Sequence, residues 1–211
     1  RDEPARAFFG GFSVIHSFFA AGDAHFRAAL QRAAGTASVW FHPFRPEHSG
    51  HVAEAYLHSV GGKSDDLDAS ISLLDTDLNR ASEVLASIGL DRSRYVMILP
   101  GSGSSAKNWP PERFVALARS IERAARTIFV LGPAEEEVAT RFTGAGLTVL
   151  TGVQLEIVAA LARMAAGFVG NDSGVSHLAA AAGGRGVVLF GPTDPRRGAP
   201  LGQISSISHK P

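Results

Sequence analysis

The chain has 211 residues, enough for one large domain or for one and a half ordinary domains at roughly 150 residues each. Its 20 Lys and Arg balance 20 Asp and Glu, which argues against a protein that holds nucleic acid or anionic lipid through a broad positive surface. Hydrophobic residues make up 45% of the sequence, enough for a real core, and the absence of cysteine excludes disulfides and thiol chemistry.

The first part of the sequence has a weak pattern of secondary structure. Apolar runs and helical spacing predict strands over 12–19 and 37–41, and helices over 24–33, 52–60 and 77–88. These are too few strands for a full domain. Residues 1–90 are therefore predicted to form part of an α/β domain, and the domain boundary is expected between residues 61 and 94.

From Tyr95 onward, short apolar runs alternate regularly with helical patterns. The predicted strands lie at 95–99, 127–131, 147–150, 167–170 and 187–190, and helices begin near residues 110, 134, 155 and 173. Strands with little polar alternation are buried on both faces, and their alternation with helices favours a parallel sheet with right-handed crossovers. Residues 91–211 are therefore predicted to form a doubly wound nucleotide-binding domain, with ligands at the strand ends.

The loop from Pro100 to Pro110 is the first candidate for chemistry, because it is rich in glycine and serine and contains Lys107. Backbone N–H groups and serine hydroxyls of such a loop can hold a phosphate, and the lysine can neutralise it. A solvated surface loop is the alternative. The dinucleotide pattern G-x-G-x-x-A matches in letters, but Pro110 and Pro111 delay the helix beyond the motif. A P-loop is excluded because no Gly-Lys-Ser/Thr sequence is present.

The second candidate is the strand-to-helix junction from Gly170 to His177. Asp172 or Ser173 can cap the helix, and Gly174 permits close approach of a ligand to the backbone. Ser173 and His177 are four residues apart and share one helix face near the positive end of the helix. This arrangement favours an anion site. A capped helix with His177 satisfied in the core is the open alternative.

Three further motifs indicate a function less specifically. The glutamates after Gly132 can accept hydrogen bonds from ribose hydroxyls, or can simply favour the first turn of a helix. Residues 191–195 form a strand-end turn. Asp75 and Asp77 could hold a divalent ion, but Asp77 is the better candidate for a helix cap. The histidines show no metal-ligand spacing, so no metal site is predicted.

Four motifs in this order resemble glycosyltransferase family 9, the ADP-heptose:lipopolysaccharide heptosyltransferases. They are Pro100-Gly101 with Lys107-Asn108-Trp109-Pro110, Leu131-Gly132 with Glu135-Glu136, Gly170-Asn171-Asp172-Ser173-Gly174 with His177-Leu178-Ala179-Ala180-Ala181, and Phe190-Gly191-Pro192-Thr193-Asp194-Pro195. The resemblance implies a GT-B fold of two Rossmann-like domains with parallel sheets. Residues 1–90 would then be a partial acceptor-side domain and residues 91–211 the nucleotide-sugar domain, with sequence missing at both ends.

The resemblance also implies an activity. The enzyme would move a sugar, with heptose from ADP-heptose favoured, to a lipopolysaccharide-core or related glycan acceptor, with inversion and without metal or cofactor. The implied partners are the nucleotide sugar and a glycolipid or oligosaccharide, and no nucleic acid. The implied location is cytoplasmic, compatible with peripheral contact at the inner face of the bacterial inner membrane, since no apolar run reaches the roughly 20 residues of a spanning helix. A sugar-nucleotide epimerase and a non-catalytic nucleotide-sugar binding module are the alternatives.

Site residues follow from the resemblance position by position. The diphosphate would meet the loop and the helix start at Ser102, Gly103, Lys107, Ser173, Gly174 and His177. Glu136 would contact the ribose, Val153 the adenine, and Asp172 would support the phosphate turn. The general base of the family is an Asp in a Gly-Asp loop near the N-terminus. No segment of this sequence matches that loop, so no catalytic base is assigned.

Overall fold

A computed structural model describes residues 3–44, 49–90 and 95–209, apart from the side chains of residues 134, 136 and 137. The chain forms two compact units, residues 1–67 and 68–211. The first unit contains helix α1 (Glu3–Phe9), strand β1 (Val14–Ser17), helix α2 (Ala24–Ala34), strand β2 (Ser38–Phe41) and helix α3 (Val52–Ser59). Strands β1 and β2 pair in parallel, with Val14 opposite Ser38 and Ser17 opposite Phe41.

The second unit is a six-stranded, wholly parallel sheet with helices in its crossovers. Its elements in chain order are α4 (Asp75–Ser87), β3 (Tyr95–Leu99), α5 (Pro111–Ile121), β4 (Arg126–Leu131), α6 (Glu136–Gly144), β5 (Thr148–Thr151), α7 (Leu155–Met164), β6 (Gly167–Asn171), α8 (Gly174–Ala181), β7 (Gly186–Phe190), α9 (Pro195–Gly198) and β8 (Ile204–Ser208). The strand order is β5-β4-β3-β6-β7-β8. The direction of winding reverses between β3 and β6, which is the point where doubly wound sheets bind ligands.

Strands β3, β4, β6 and β7 of this sheet are largely buried on both faces, as their apolar sequences predict. Alternate strand residues point to opposite sides: Met97 and Leu99 belong to one core cluster, and Ile98 belongs to the other. Helices α4, α7 and α8 contribute to the first cluster, and α5 and α6 to the second. The result is a three-layer α/β/α unit, and the predicted parallel sheet is confirmed.

The boundary between the units falls earlier than the predicted boundary at 90/91. Helix α4 belongs to the second unit, because its buried Ala81 and Leu85 pack in the same cluster as Ile157, Val158 and Leu161 of α7. The boundary at Leu67 and Asp68 still lies within the interval from 61 to 94.

Three elements are absent from the sequence-based prediction: α1, the four-residue α9 and β8. Helix α1 has seven residues and none of them is buried, so its sequence is too short to show a clear helical periodicity. Strand β8 reads Ile-Ser-Ser-Ile-Ser and lies at the sheet edge beside β7, where most of its residues are exposed. Because β8 is not buried, the sequence shows no further run of apolar residues typical of a buried strand after β7.

Tyr95 gives a test of the core near β3. Its hydroxyl donates to the carbonyl oxygen of Leu161 at 2.6 Å, and burial raises the pKa of the phenol above its usual value. Tyr95→Phe should cost about 1 kcal/mol at neutral pH, because Leu161 keeps a second partner, the Ala165 amide.

The pH dependence has a definite sign. The folded protein keeps the phenolic proton to higher pH than the unfolded chain, so this stabilisation is complete below about pH 10 and declines as the pH rises further. Urea unfolding of wild type and Tyr95→Phe at pH 7 and pH 11 should therefore show a smaller gap at the higher pH. A gap that stays constant would contradict the buried, neutral phenol.

Candidate functional site

The carboxyl ends of β3 and β6 meet beside a pocket of about 500 Å³. One wall is the loop at Gly101, Ser102 and Gly103, and another is the start of α8 at Ser173 and Gly174. The remaining lining is Leu99, Val130, Gly132, Glu135, Leu155, Val175 and Leu178. The size lies within the range of small-molecule sites, which are largely apolar with a few placed polar groups. The structure thus brings four predicted site residues, Ser102, Gly103, Ser173 and Gly174, into one pocket.

The loop after β3 is ordered by its own hydroxyls. Ser102 Oγ donates to the Ser104 carbonyl oxygen at 2.7 Å and accepts from the Ser104 amide at 3.3 Å. A short 3-10 helix over Ser105–Lys107 follows, and α5 begins at Pro111. The two prolines therefore delay the helix as predicted, and Lys107 is carried on the loop itself.

Lys107 is held at the end of β6 by an ion pair. Its Nζ lies 2.7 Å from Oδ2 of Asp172, and the same oxygen accepts from Thr193 Oγ1 at 2.7 Å. The Asp172 side chain is only 11% exposed, while that of Lys107 is 32% exposed. Asp172 is therefore not the helix cap, and it links Lys107 to the turn after β7 that contains Thr193.

Helix α8 is capped by the next residue. Ser173 Oγ accepts from the Ser176 amide at 3.3 Å, and the buried Ser173 begins the turn that lines the pocket. Gly174 is exposed, so nothing but a hydrogen stands between its backbone and a ligand. The side chain of His177 is exposed one turn further along the helix and lies outside the pocket lining.

Glu135 also lines the pocket; it is one of the glutamates after Gly132 that the sequence offered for ribose hydroxyls, although the resemblance assigned the ribose contact to Glu136. Glu135 Oε2 accepts from the Gly132 amide at 2.9 Å, which holds its carboxylate at the end of β4. A Cβ at Gly101 would overlap this carboxylate. The Gly-Pro turn after β4 is the signal that could have identified Glu135. The predicted Glu136 is the next residue, but its side chain is outside the part of the structure that is described, so its role stays a prediction.

Val153 is not brought into this pocket. It is half-buried against the core beneath α4 and lines a separate open concavity with Arg80, Glu83 and Gln154. Leu155, two residues later, is the aliphatic side chain from this turn that lines the main pocket. Contact between Val153 and an adenine stays a prediction.

No set of three or more His, Asp or Glu side chains in residues 3–44, 49–90 and 95–209 is arranged to hold a metal ion. Asp77 instead accepts a weak hydrogen bond from the Leu74 amide at 3.4 Å, at the start of α4. Within the same ranges, every helix is too short or too polar to cross a bilayer.

A doubly wound parallel sheet, with a glycine- and serine-rich loop and a helix start at its switch point, defines a Rossmann-like α/β unit. The sequence pattern of glycosyltransferase family 9 (heptosyltransferase) matches residues 47–209, and the chain belongs to this family.

Known relatives agree with this assignment. Lipopolysaccharide heptosyltransferase 1 of Escherichia coli (strain K12) is 32% identical over 119 residues, which are 54% of this chain and 37% of the relative. The chain thus matches about a third of the length of that protein.

Solved structures show the fold. Glycosyl transferase family 9 from Veillonella parvula DSM 2008 has a TM-score of 0.81 at 21% identity and covers 99% of this chain, which spans 66% of that structure. E. coli heptosyltransferase WaaC with ADP has a TM-score of 0.64 at 22% identity, over 98% of this chain and 71% of that structure. The predicted GT-B fold is confirmed.

Proposed function

We propose that residues 68–211 form the donor-binding half of a glycosyltransferase whose donor is a nucleoside diphosphate sugar. The favoured donor is ADP-heptose and the favoured acceptor a lipopolysaccharide core or related glycan. The observation that carries the proposal is the meeting of Lys107, Asp172 and the capped start of α8 at the switch point of the sheet. Helix starts and lysines are the groups that proteins use to hold phosphates.

The pocket offers separate surroundings for the parts of such a donor. We assign the diphosphate to the wall formed by Ser102, Gly103 and Gly174. Lys107 is not among the residues that line the pocket; it is held at the end of β6 by Asp172. The Glu135 carboxylate is an acceptor for ribose hydroxyls, because only one of its oxygens has a partner in the described structure. The aliphatic side chains of Val130 and Leu155 suit a flat base. Glu136 and Val153 keep the roles that the resemblance implies as alternatives.

The proposed chemistry is a direct displacement with inversion that requires no metal. The acceptor oxygen forms a bond to the anomeric carbon as the bond to the diphosphate oxygen breaks, and a base takes the hydroxyl proton. Negative charge grows on the leaving diphosphate. Lys107 and the start of α8 stabilise that charge, as preorganised donors do at other leaving groups. The chain offers no residue that we assign as the base.

The names of the relatives support the choice of nucleotide and sugar. The matched E. coli protein is a lipopolysaccharide heptosyltransferase, and the WaaC structure was solved with ADP. Location at the inner face of the bacterial inner membrane is part of the same proposal, since such acceptors are membrane-borne glycolipids.

Calorimetry with ADP, UDP and GDP tests the donor half of the proposal directly. We expect ADP to bind, and to bind at least tenfold more tightly than UDP or GDP, which corresponds to about 1.4 kcal/mol. If none of the three nucleotides binds, the proposal that this pocket is a donor site is wrong.

The activity is tested separately by incubation with ADP-heptose. Release of ADP that depends on added glycan acceptor supports the transferase. Interconversion of the nucleotide sugar without acceptor identifies an epimerase, and binding with neither reaction identifies a binding module.

A further inference from the structure

We propose that Asn171 is the positioning residue of the nucleotide site, because it anchors both ends of the loop that carries Lys107. The identity of the ligand, a nucleoside diphosphate, rests on the proposed function. The anchoring itself rests on the geometry of β6 and of the loop between β3 and α5. The anchoring and the proposed ligand can therefore be contradicted by separate experiments.

Asn171 is the last residue of β6 and its side chain is completely buried. Its Nδ2 donates to the carbonyl oxygen of Pro100 at 2.6 Å, and its Oδ1 accepts from the Trp109 amide at 3.1 Å. Nδ2 is also 3.3 Å from Oδ1 of Asn108. Pro100 is the first residue after β3, and Trp109 stands immediately before the prolines that open α5. One amide group therefore joins the start of the loop to its end.

The sequence of the loop makes this anchor necessary. Pro110 and Pro111 have no N–H, so the Trp109 amide is the last donor before α5 proper. Between the anchored ends, residues 101–106 include two glycines and three serines, which have wide backbone freedom. A flexible loop of this composition would lose conformational entropy when it binds a ligand, which weakens binding. Anchoring both loop ends in the free protein reduces this entropic cost of binding.

Only an asparagine satisfies both loop ends at this position. An aspartate would put a second acceptor oxygen against the Pro100 carbonyl, and an aliphatic side chain would leave buried polar groups without partners. The backbone of Asn171 is fixed in turn by the Ser176 hydroxyl, which donates to the Asn171 carbonyl oxygen at 2.7 Å. The next residue, Asp172, pairs with Lys107. Loop position and lysine position therefore depend on the same short segment.

The test compares Asn171→Asp with Tyr95→Phe as a matched control. Each variant removes a buried side-chain donor to a backbone carbonyl of the second unit, but only Asn171→Asp releases the loop. We expect Asn171→Asp to weaken ADP binding by about tenfold or more in calorimetry, because the two hydrogen bonds donated by Nδ2 to the loop are lost. Adenosine, which lacks the diphosphate, should bind both variants as it binds wild type, and the ADP affinity of Tyr95→Phe should stay within about twofold of the wild-type value.

Amide hydrogen exchange provides a readout that needs no ligand. Residues 101–109 should exchange faster in Asn171→Asp than in wild type, while Tyr95→Phe leaves them protected. Unchanged exchange in Asn171→Asp overturns the inference, as does an equal loss of ADP and adenosine binding. If wild type binds no ADP, the proposed function fails and the exchange result alone decides the anchoring. If Asn171→Asp does not fold, Asn171→Ser replaces it with the same expected results.

Discussion

Lys107→Met should weaken ADP binding by about 10- to 100-fold and leave adenosine binding unchanged, because a charge-assisted contact to phosphate contributes about 1.5–3 kcal/mol. Methionine keeps the length and most of the apolar stem of lysine, so packing is preserved. The lost quantity is the positive charge, which stands 2.7 Å from Asp172 in the structure. Calorimetry with ADP, AMP and adenosine measures how the loss of binding affinity grows with the number of phosphates in the ligand.

Lys63→Met is the matched control, because Lys63 is an exposed lysine of the first unit. Its ADP affinity should equal that of wild type. The ADP affinity of wild type should also fall with added salt, and more steeply than that of Lys107→Met. Equal ADP affinity of wild type and Lys107→Met would show that the loop is an ordinary solvated loop, the alternative that the sequence alone left open.

Most of the second unit could be predicted from sequence because its strands are short apolar runs between clear turns. Every strand from β3 to β7 is present where the apolar runs predict it, and the delay of α5 follows from Pro110 and Pro111. Strand β8 could not be found in this way, since its serines face solvent at the sheet edge. This segment is a strand because it pairs with β7, although its own sequence has no strand pattern.

The site was predictable in its motifs but not in its contacts. Loop and helix start are visible in the sequence, whereas the pairing of Lys107 with Asp172 joins residues 65 positions apart. The sequence also does not show that the side chain of Glu135 lines the pocket. In the structure the Gly132 amide holds Glu135 there, before α6 begins at Glu136.

Gly101→Ala is the second substitution with a large expected effect. A methyl group at this position would overlap the Glu135 carboxylate, which must then leave the Gly132 amide and its place in the pocket. We expect a loss of about 1–2 kcal/mol in the free energy of unfolding, since a displaced flexible side chain loses its hydrogen bond but avoids a fixed clash. ADP affinity should fall by about tenfold if Glu135 holds the ribose.

A double-mutant cycle separates this cause from a general effect on the loop. In a Glu135→Ala background, Gly101→Ala should cost almost nothing in unfolding free energy, because the overlapping group is gone. Gly103→Ala is the control for the glycine change, since a Cβ there meets no protein atom within 4 Å and its stability should equal that of wild type. If Gly101→Ala costs the same with and without Glu135, the close approach of these two residues is not what makes glycine necessary at this position.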